Sequence, residues 1–177
     1  AYEVFSKSHA MTIEQAKARF ALISEHAKTV GLNFNYDIIQ MTNTYQAHRL
    51  LKWAIDHGKA DLMVERLFGA YFTEGKNLSD INVLTNLSAE VGLNPDVALD
   101  MLNQEHYKEV VKQDQAEARA IGVQGVPFFV INRTYGVSGA QDSTYFLKAL
   151  DQIYQEEQIQ VMSTQNNAMC DDDHCIR

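Results

Sequence analysis

The chain has 177 residues, 46% hydrophobic and 21% charged, with a formal net charge of −8, which is the composition of a single globular domain with a real core. The acidic balance excludes the clustered Lys and Arg that a nucleic-acid partner requires, and no apolar run approaches the roughly 20 residues that cross a bilayer. No basic segment followed by an apolar one opens the sequence, so no secretory signal is expected and the cytoplasm is the expected compartment.

Thr12 and Gln15 fit a capping box. Ile13, Ala16, Phe20, Ile23, Ala27 and Val30 then recur at helical spacing up to Gly31, which predicts a first helix. The following LNFNYDIIQ alternates too briefly to predict a strand. Thr44 to His57 (TYQAHRLLKWAIDH) predicts a second helix, ended by Gly58. Asp61 to Glu74 predicts a third, with Leu62, Leu67, Phe68, Tyr71 and Phe72 on its apolar side and Gly75 after it. A fourth starts at Ser79 or Asp80 and stops at Gly92. Asn94 followed by Pro95 is an N-cap with proline at the first helical position, and it starts a fifth that runs to Leu102. A sixth is predicted from about Gln104 to Ile121, with Tyr107, Val110, Val111 and Ala118 facing inward.

The pattern then changes. Val126 to Ile131 is a continuous apolar run holding Pro127, too short for a helix. Asn132, Arg133 and Thr134 form a turn, and Tyr135 to Ser138 pairs back as the second strand of a hairpin. Asp142 or Ser143 caps a last amphipathic helix carrying Phe146, Leu147, Leu150, Ile153 and Tyr154. After about Gln158 the polar composition predicts a mobile tail. The expected fold class is therefore mainly α with a small β-hairpin. A lone two-stranded hairpin is marginal in water, and an apolar strand such as FFVI needs cover on both faces. No repeat, Walker motif, dinucleotide-binding glycine fingerprint or zinc-finger spacing occurs, so no cofactor is expected.

Cys170 and Cys175 are the two cysteines. Three readings of them stand open. They could form a redox pair, although the intervening acidic residues raise thiol pKa values and disfavour a primary nucleophile. With His174 and Asp171 they could ligate a metal, at non-standard spacing. They could also sit inert in a solvated tail. Pro127 reads most simply as a trans proline on an edge strand, where its missing N–H breaks no ladder bond. His48 reads as a helix-surface histidine, Tyr71 and Phe72 as core, and Trp53, Phe68 and the methionines as core filling.

GVQGVPFFVINRTYGVSGAQ (residues 122–141), TNTYQAHRL (42–50) and AYFTEGKNLSD (70–80) together resemble signatures of the DsbA-like thioredoxin-fold family. The branch they resemble is the FrnE type, related to 2-hydroxychromene-2-carboxylate isomerases and kappa-class glutathione transferases. CDDDHC is similar to a C-terminal cysteine pair of some members. The resemblance implies a helical insertion over residues 1–121, the C-terminal half of a thioredoxin-like α/β domain over 122–158, and a tail with the cysteine pair over 159–177. It favours a cis Val126–Pro127 bond facing a thiol and holding an extended peptide or glutathione by strand addition. It implies that Asn43, His48 and Arg49 line a substrate groove, with Asn43 donating to a substrate carbonyl and Arg49 pairing with a carboxylate. Family members open with a strand and a Cys-x-x-Cys site, neither of which is in this sequence. The expectation is thus an N-terminally shortened member in which Cys170 and Cys175 are the remaining catalytic thiols. The implied activity is thiol–disulfide exchange on protein partners. The alternatives are a glutathione-dependent isomerase or transferase, and a non-catalytic fragment forming a homodimer through its hairpin edge.

Overall fold

The computed structural model describes the backbone of residues 1–168 and the side chains of residues 1–158. The chain divides into two compact units, Ala1–Glu117 and Ala118–Arg177.

The first unit is helical. It holds α1 (Tyr2–Ser8), α2 (Ile13–Thr29), α3 (Tyr45–Asp56), α4 (Ala60–Phe68), a single π-helical turn (Gly69–Thr73), α5 (Ile81–Glu90), α6 (Pro95–Asn103) and most of α7 (Lys108–Ala120). Local signals set most of the boundaries. The Gln15 N–H donates to Thr12 Oγ1 at 3.2 Å and the Thr12 N–H to Gln15 Oε1 at 2.9 Å, so the capping box satisfies two orphan donors of α2. Asp80 and Asn94 cap α5 and α6 through their side-chain oxygens. Helix α1 carries no local signal and was not expected. Its Tyr2 and Phe5 pack on Phe20 of α2, with ring centroids 5.7 and 4.6 Å apart.

The core lies among α3, α4, α5 and α6, where Leu50, Met63, Leu84 and Leu87 are fully buried. Burial of one such side chain stabilises by roughly 1.5–3 kcal/mol. Residues 32–40 form no strand. Their hydrogen bonds reach instead the π-turn and the glycine just beyond it: the Asn35 N–H donates to Phe72 O, the Thr73 hydroxyl to Asn33 O, and the Gln40 side-chain Nε2 to Gly75 O, each at 2.8 Å. This strap passes so close that a Cβ on Gly75 would lie 2.5 Å from Ile38 O, and Gly75 has φ +65°. Only glycine satisfies both conditions.

The sixth helix starts later than the sequence predicts. Residues 104–107 form an elbow in which Tyr107 takes φ +61°, and its hydroxyl donates to Asp56 Oδ2 at 2.6 Å. Val110, expected inward, is 42% exposed, whereas Val111 is buried.

The second unit pairs β1 (Phe128–Ile131) with β2 (Tyr135–Ser138), antiparallel, in the register Phe128↔Ser138 to Ile131↔Tyr135. Asn132 and Arg133 both adopt positive φ, the twist that primed hairpin turns supply. The Val126–Pro127 peptide is cis. Helix α8 (Ser143–Ala168) is capped by Asp142, whose Oδ1 accepts the Tyr145 N–H at 2.9 Å, and Phe146 meets Phe129 edge-on at 4.8 Å. The helical backbone continues past Gln158 to Ala168, where the sequence predicts a tail. Residues 159–168 hold no Gly or Pro to stop it, and polar composition alone does not end a helix. Among the described residues no helix is long and apolar enough to cross a membrane.

Candidate functional site

Two helical faces build a pocket in the first unit. Thr44, Ala47, His48 and Leu51 recur at i, i+3, i+4, i+7, and so do Val64, Leu67, Phe68 and Tyr71, so each set forms one stripe. Together with Phe72 and Leu78 they line an open, almost wholly apolar cavity of about 290 Å³. The π-turn completes its wall. The Glu74 N–H donates to Gly69 O at 3.0 Å, an i to i−5 bond, and single π-turns of this kind concentrate at functional sites. Phe68 is 56% exposed and lines this cavity, which corrects its reading as core filling. Trp53, Met63 and Met101 are buried as read, whereas Met41 is 48% exposed.

The polar groups at the cavity are the Thr44 hydroxyl, the His48 imidazole and the Tyr71 phenol. Burial raises the Tyr71 pKa above its ordinary value, so the phenol remains a donor, and it donates to Met41 Sδ at 3.5 Å. His48 is exposed and lines the cavity. Asn43 sits just before α3, and its Oδ1 accepts the Tyr45 N–H at 2.8 Å. This turn commits the amide oxygen to the helix start and leaves the NH₂ as the group that can donate to a ligand.

Arg49 does not meet its expectation. Its side chain is buried, and its five N–H donors all have acceptors within the unit. Nε donates to His106 O at 2.8 Å, Nη1 to Gln46 Oε1 at 2.6 Å and to Leu102 O at 3.0 Å, and Nη2 to Met101 O at 2.9 Å and to Gln104 O. No donor remains for a substrate carboxylate. The guanidinium instead closes the C-terminus of α6, where unpaired carbonyls gather and a cation is favoured. Glu74 is likewise engaged. Arg66 grips it with two parallel 2.8 Å bonds and Lys76 adds a 2.9 Å contact, and these hydrogen bonds pull its pKa down to about 2.

Val126 and Pro127 lie in the second unit. Val126 is 90% exposed, and the Pro127 carbonyl accepts the Gly139 N–H at 2.9 Å. Among the described residues β1 pairs with β2 alone, so its other edge is open. Cys170 and Cys175 fall outside the described residues, as does His174 of the metal reading. Among the described residues no group of three or more His, Cys, Asp or Glu is placed to hold a metal ion. The cavity residues Thr44, Leu51 and Val64 were missed. The signal that finds them is the coincidence of two i, i+3, i+4, i+7 stripes on successive helices.

The protein has relatives of known sequence and structure. The Bacillus subtilis protein YwbO is 29% identical over 130 residues, which cover 72% of this chain and 64% of that protein. The crystal structure of a probable DsbA oxidoreductase from Streptomyces coelicolor superposes with a TM-score of 0.78 at 31% identity, over 85% of this chain and 65% of that one. The chain thus spans just under two thirds of the length of both. Residues 5–151 match the DSBA-like thioredoxin domain. The fold, the helical unit with its open-edged hairpin, and this match over most of the length agree: the chain belongs to the DSBA-like thioredoxin domain family, a thiol–disulfide oxidoreductase type of family.

Proposed function

We propose that the chain takes part in thiol–disulfide exchange on protein substrates, as a member of the FrnE-type branch. The observation that carries this reading is the open outer edge of β1, which pairs among the described residues with β2 alone, together with Val126, 90% exposed just before it. An extended peptide adds to such an edge through main-chain hydrogen bonds. Cys170 and Cys175 are the chain's two thiols. One, as thiolate, attacks a substrate disulfide, forming a mixed disulfide and releasing a substrate thiolate. The second then attacks the bridge, frees the other substrate thiol and leaves a protein disulfide, so the substrate gains the two electrons that the pair loses. Turnover in an insulin-reduction assay with dithiothreitol tests this. The wild type should exceed background and Cys170→Ser should fall to it. Equal rates for both would remove the pair from the chemistry.

A second reading rests on the cavity in the helical unit. A glutathione-dependent isomerase or transferase needs an apolar acceptor site beside its thiol cosubstrate, and a cavity of about 290 Å³ lined in part by His48 and Thr44, with Asn43 next to Thr44 in the chain, suits that role. Calorimetry with glutathione separates the two. Heat of binding that His48→Ala and Asn43→Ala weaken supports the second reading, and no heat for the wild type dismisses it.

A further inference from the structure

We propose that Met41 is a site of reversible oxidation by hydroperoxides and that its oxidation is transmitted to the cavity wall through Tyr71. Three observations converge on this residue. Met41 is 48% exposed, while Met63 and Met101 are 0% and 5% exposed, so an oxidant in water reaches its sulfur and not theirs. Its sulfur accepts the Tyr71 hydroxyl at 3.5 Å, and Tyr71 lines the cavity. Met41 also follows directly on the strap whose bonds to Phe72, Thr73 and Gly75 hold the π-turn. One side chain therefore joins solvent, strap and cavity.

The chemistry balances simply. The sulfur lone pair attacks the outer oxygen of a hydroperoxide. The O–O bond breaks, an S–O bond forms, the thioether is oxidised by two electrons and the peroxide is reduced to water or an alcohol. The sulfoxide oxygen is a much stronger acceptor than the thioether, so it keeps the Tyr71 hydroxyl. An O–H···O contact of about 2.7–2.8 Å, added in line to the length of the new S–O bond, would put the phenol oxygen farther from sulfur than the 3.5 Å that now separates them. The Tyr71 ring must back away from Met41 or the bond must bend, and either change disturbs the π-turn on which the ring stands. Methionine sulfoxide reductases reverse the change.

The test combines peptide mass spectrometry with hydrogen exchange on the full chain. After brief treatment with hydrogen peroxide, Met41 sulfoxide should accumulate at least about tenfold faster than sulfoxide at Met63 or Met101. Amides of residues 69–76 should then exchange roughly threefold faster or more in the oxidised wild type, and in peroxide-treated Met41→Leu they should keep their original rates. Both proteins carry Cys170 and Cys175, so their difference isolates the methionine. Exposed Met-to-Leu exchange is well tolerated, which leaves the fold of the control intact. Oxidation of Met41 at the pace of the buried methionines would overturn the proposal. Equal exchange over residues 69–76 in the two treated proteins would overturn it as well.

Discussion

The helical unit and the hairpin unit hold their shapes by different means. Among the described residues, all but two of the buried apolar side chains belong to the first unit; the hairpin unit contributes Val137 and Ile153. Several of its other large apolar groups, Phe129, Val130, Leu147, Leu150 and Tyr154, are each at least 42% exposed, and Phe128, Ile131 and Phe146 are half-buried. The helical unit thus has the buried area that offsets chain entropy, while the hairpin unit relies on one short ladder and a few ring contacts. Four helices close a core without help from elsewhere, whereas a two-stranded sheet has two faces and an outer edge to cover.

The contrast can be broken first at the helical core. Leu84→Ala should cost about 2–5 kcal/mol in urea unfolding followed by helix circular dichroism; a loss below 1 kcal/mol would mean that this core is not what holds the unit. Arg49→Met should cost somewhat less, about 2–3 kcal/mol. The carbonyls of Met101 and Leu102 would lose a charged donor inside the protein, while those of Gln104 and His106 sit at an exposed elbow where water can replace it. Arg49→Lys, with three donors in place of five, should recover only part. In the hairpin unit Ile153→Val should cost about 0.5–1.5 kcal/mol and leave amide exchange of α3 to α6 unchanged; faster exchange there would show that the two units open together.

The smallest effect is electrostatic. The Glu74 pKa is lowered from the usual 4.5 to about 2, chiefly by its hydrogen bonds from Arg66. A carboxylate held lower in the folded state stabilises fully above pH 4.5 and loses that contribution as pH falls towards about 2. Its side chain is 40% exposed, so water screens the pair and the loss should be only about 0.5–1 kcal/mol. Thermal melts of wild type and Glu74→Gln should converge as pH drops from 5 to about 2; a constant gap across that window would assign the stabilisation to something other than this ion cluster.

What the sequence declares is what neighbouring residues decide among themselves. Thr12 and Gln15 cap each other, Asp80 caps α5, and Asn94 with Pro95 opens α6, so each start was legible. The hairpin was legible because Asn132 tolerates the left-handed backbone that its turn requires. The π-turn, the strap and the role of Arg49 were not legible. Each depends on partners far along the chain, such as Phe72 for Asn35 or Leu102 for Arg49, and no local pattern carries that information. The candidate site divides the same way. His48, which lines the cavity, was singled out because a motif drew attention to it, while Thr44, Val64 and Met41 matter only through what α3, α4 and the strap place beside them.

The guanidinium of Arg49 also bears on how the helical unit assembles. It reaches carbonyls 52 to 57 residues ahead of it, so it can engage only after α6 and the elbow behind it have taken shape. A contact of such long sequence separation closes a large loop and belongs late on the folding route. Removing it should therefore leave the folding rate nearly unchanged and appear almost entirely as faster unfolding. In kinetic terms Arg49 is the bolt that slides home last, and it governs how long the unit stays shut more than how quickly it closes.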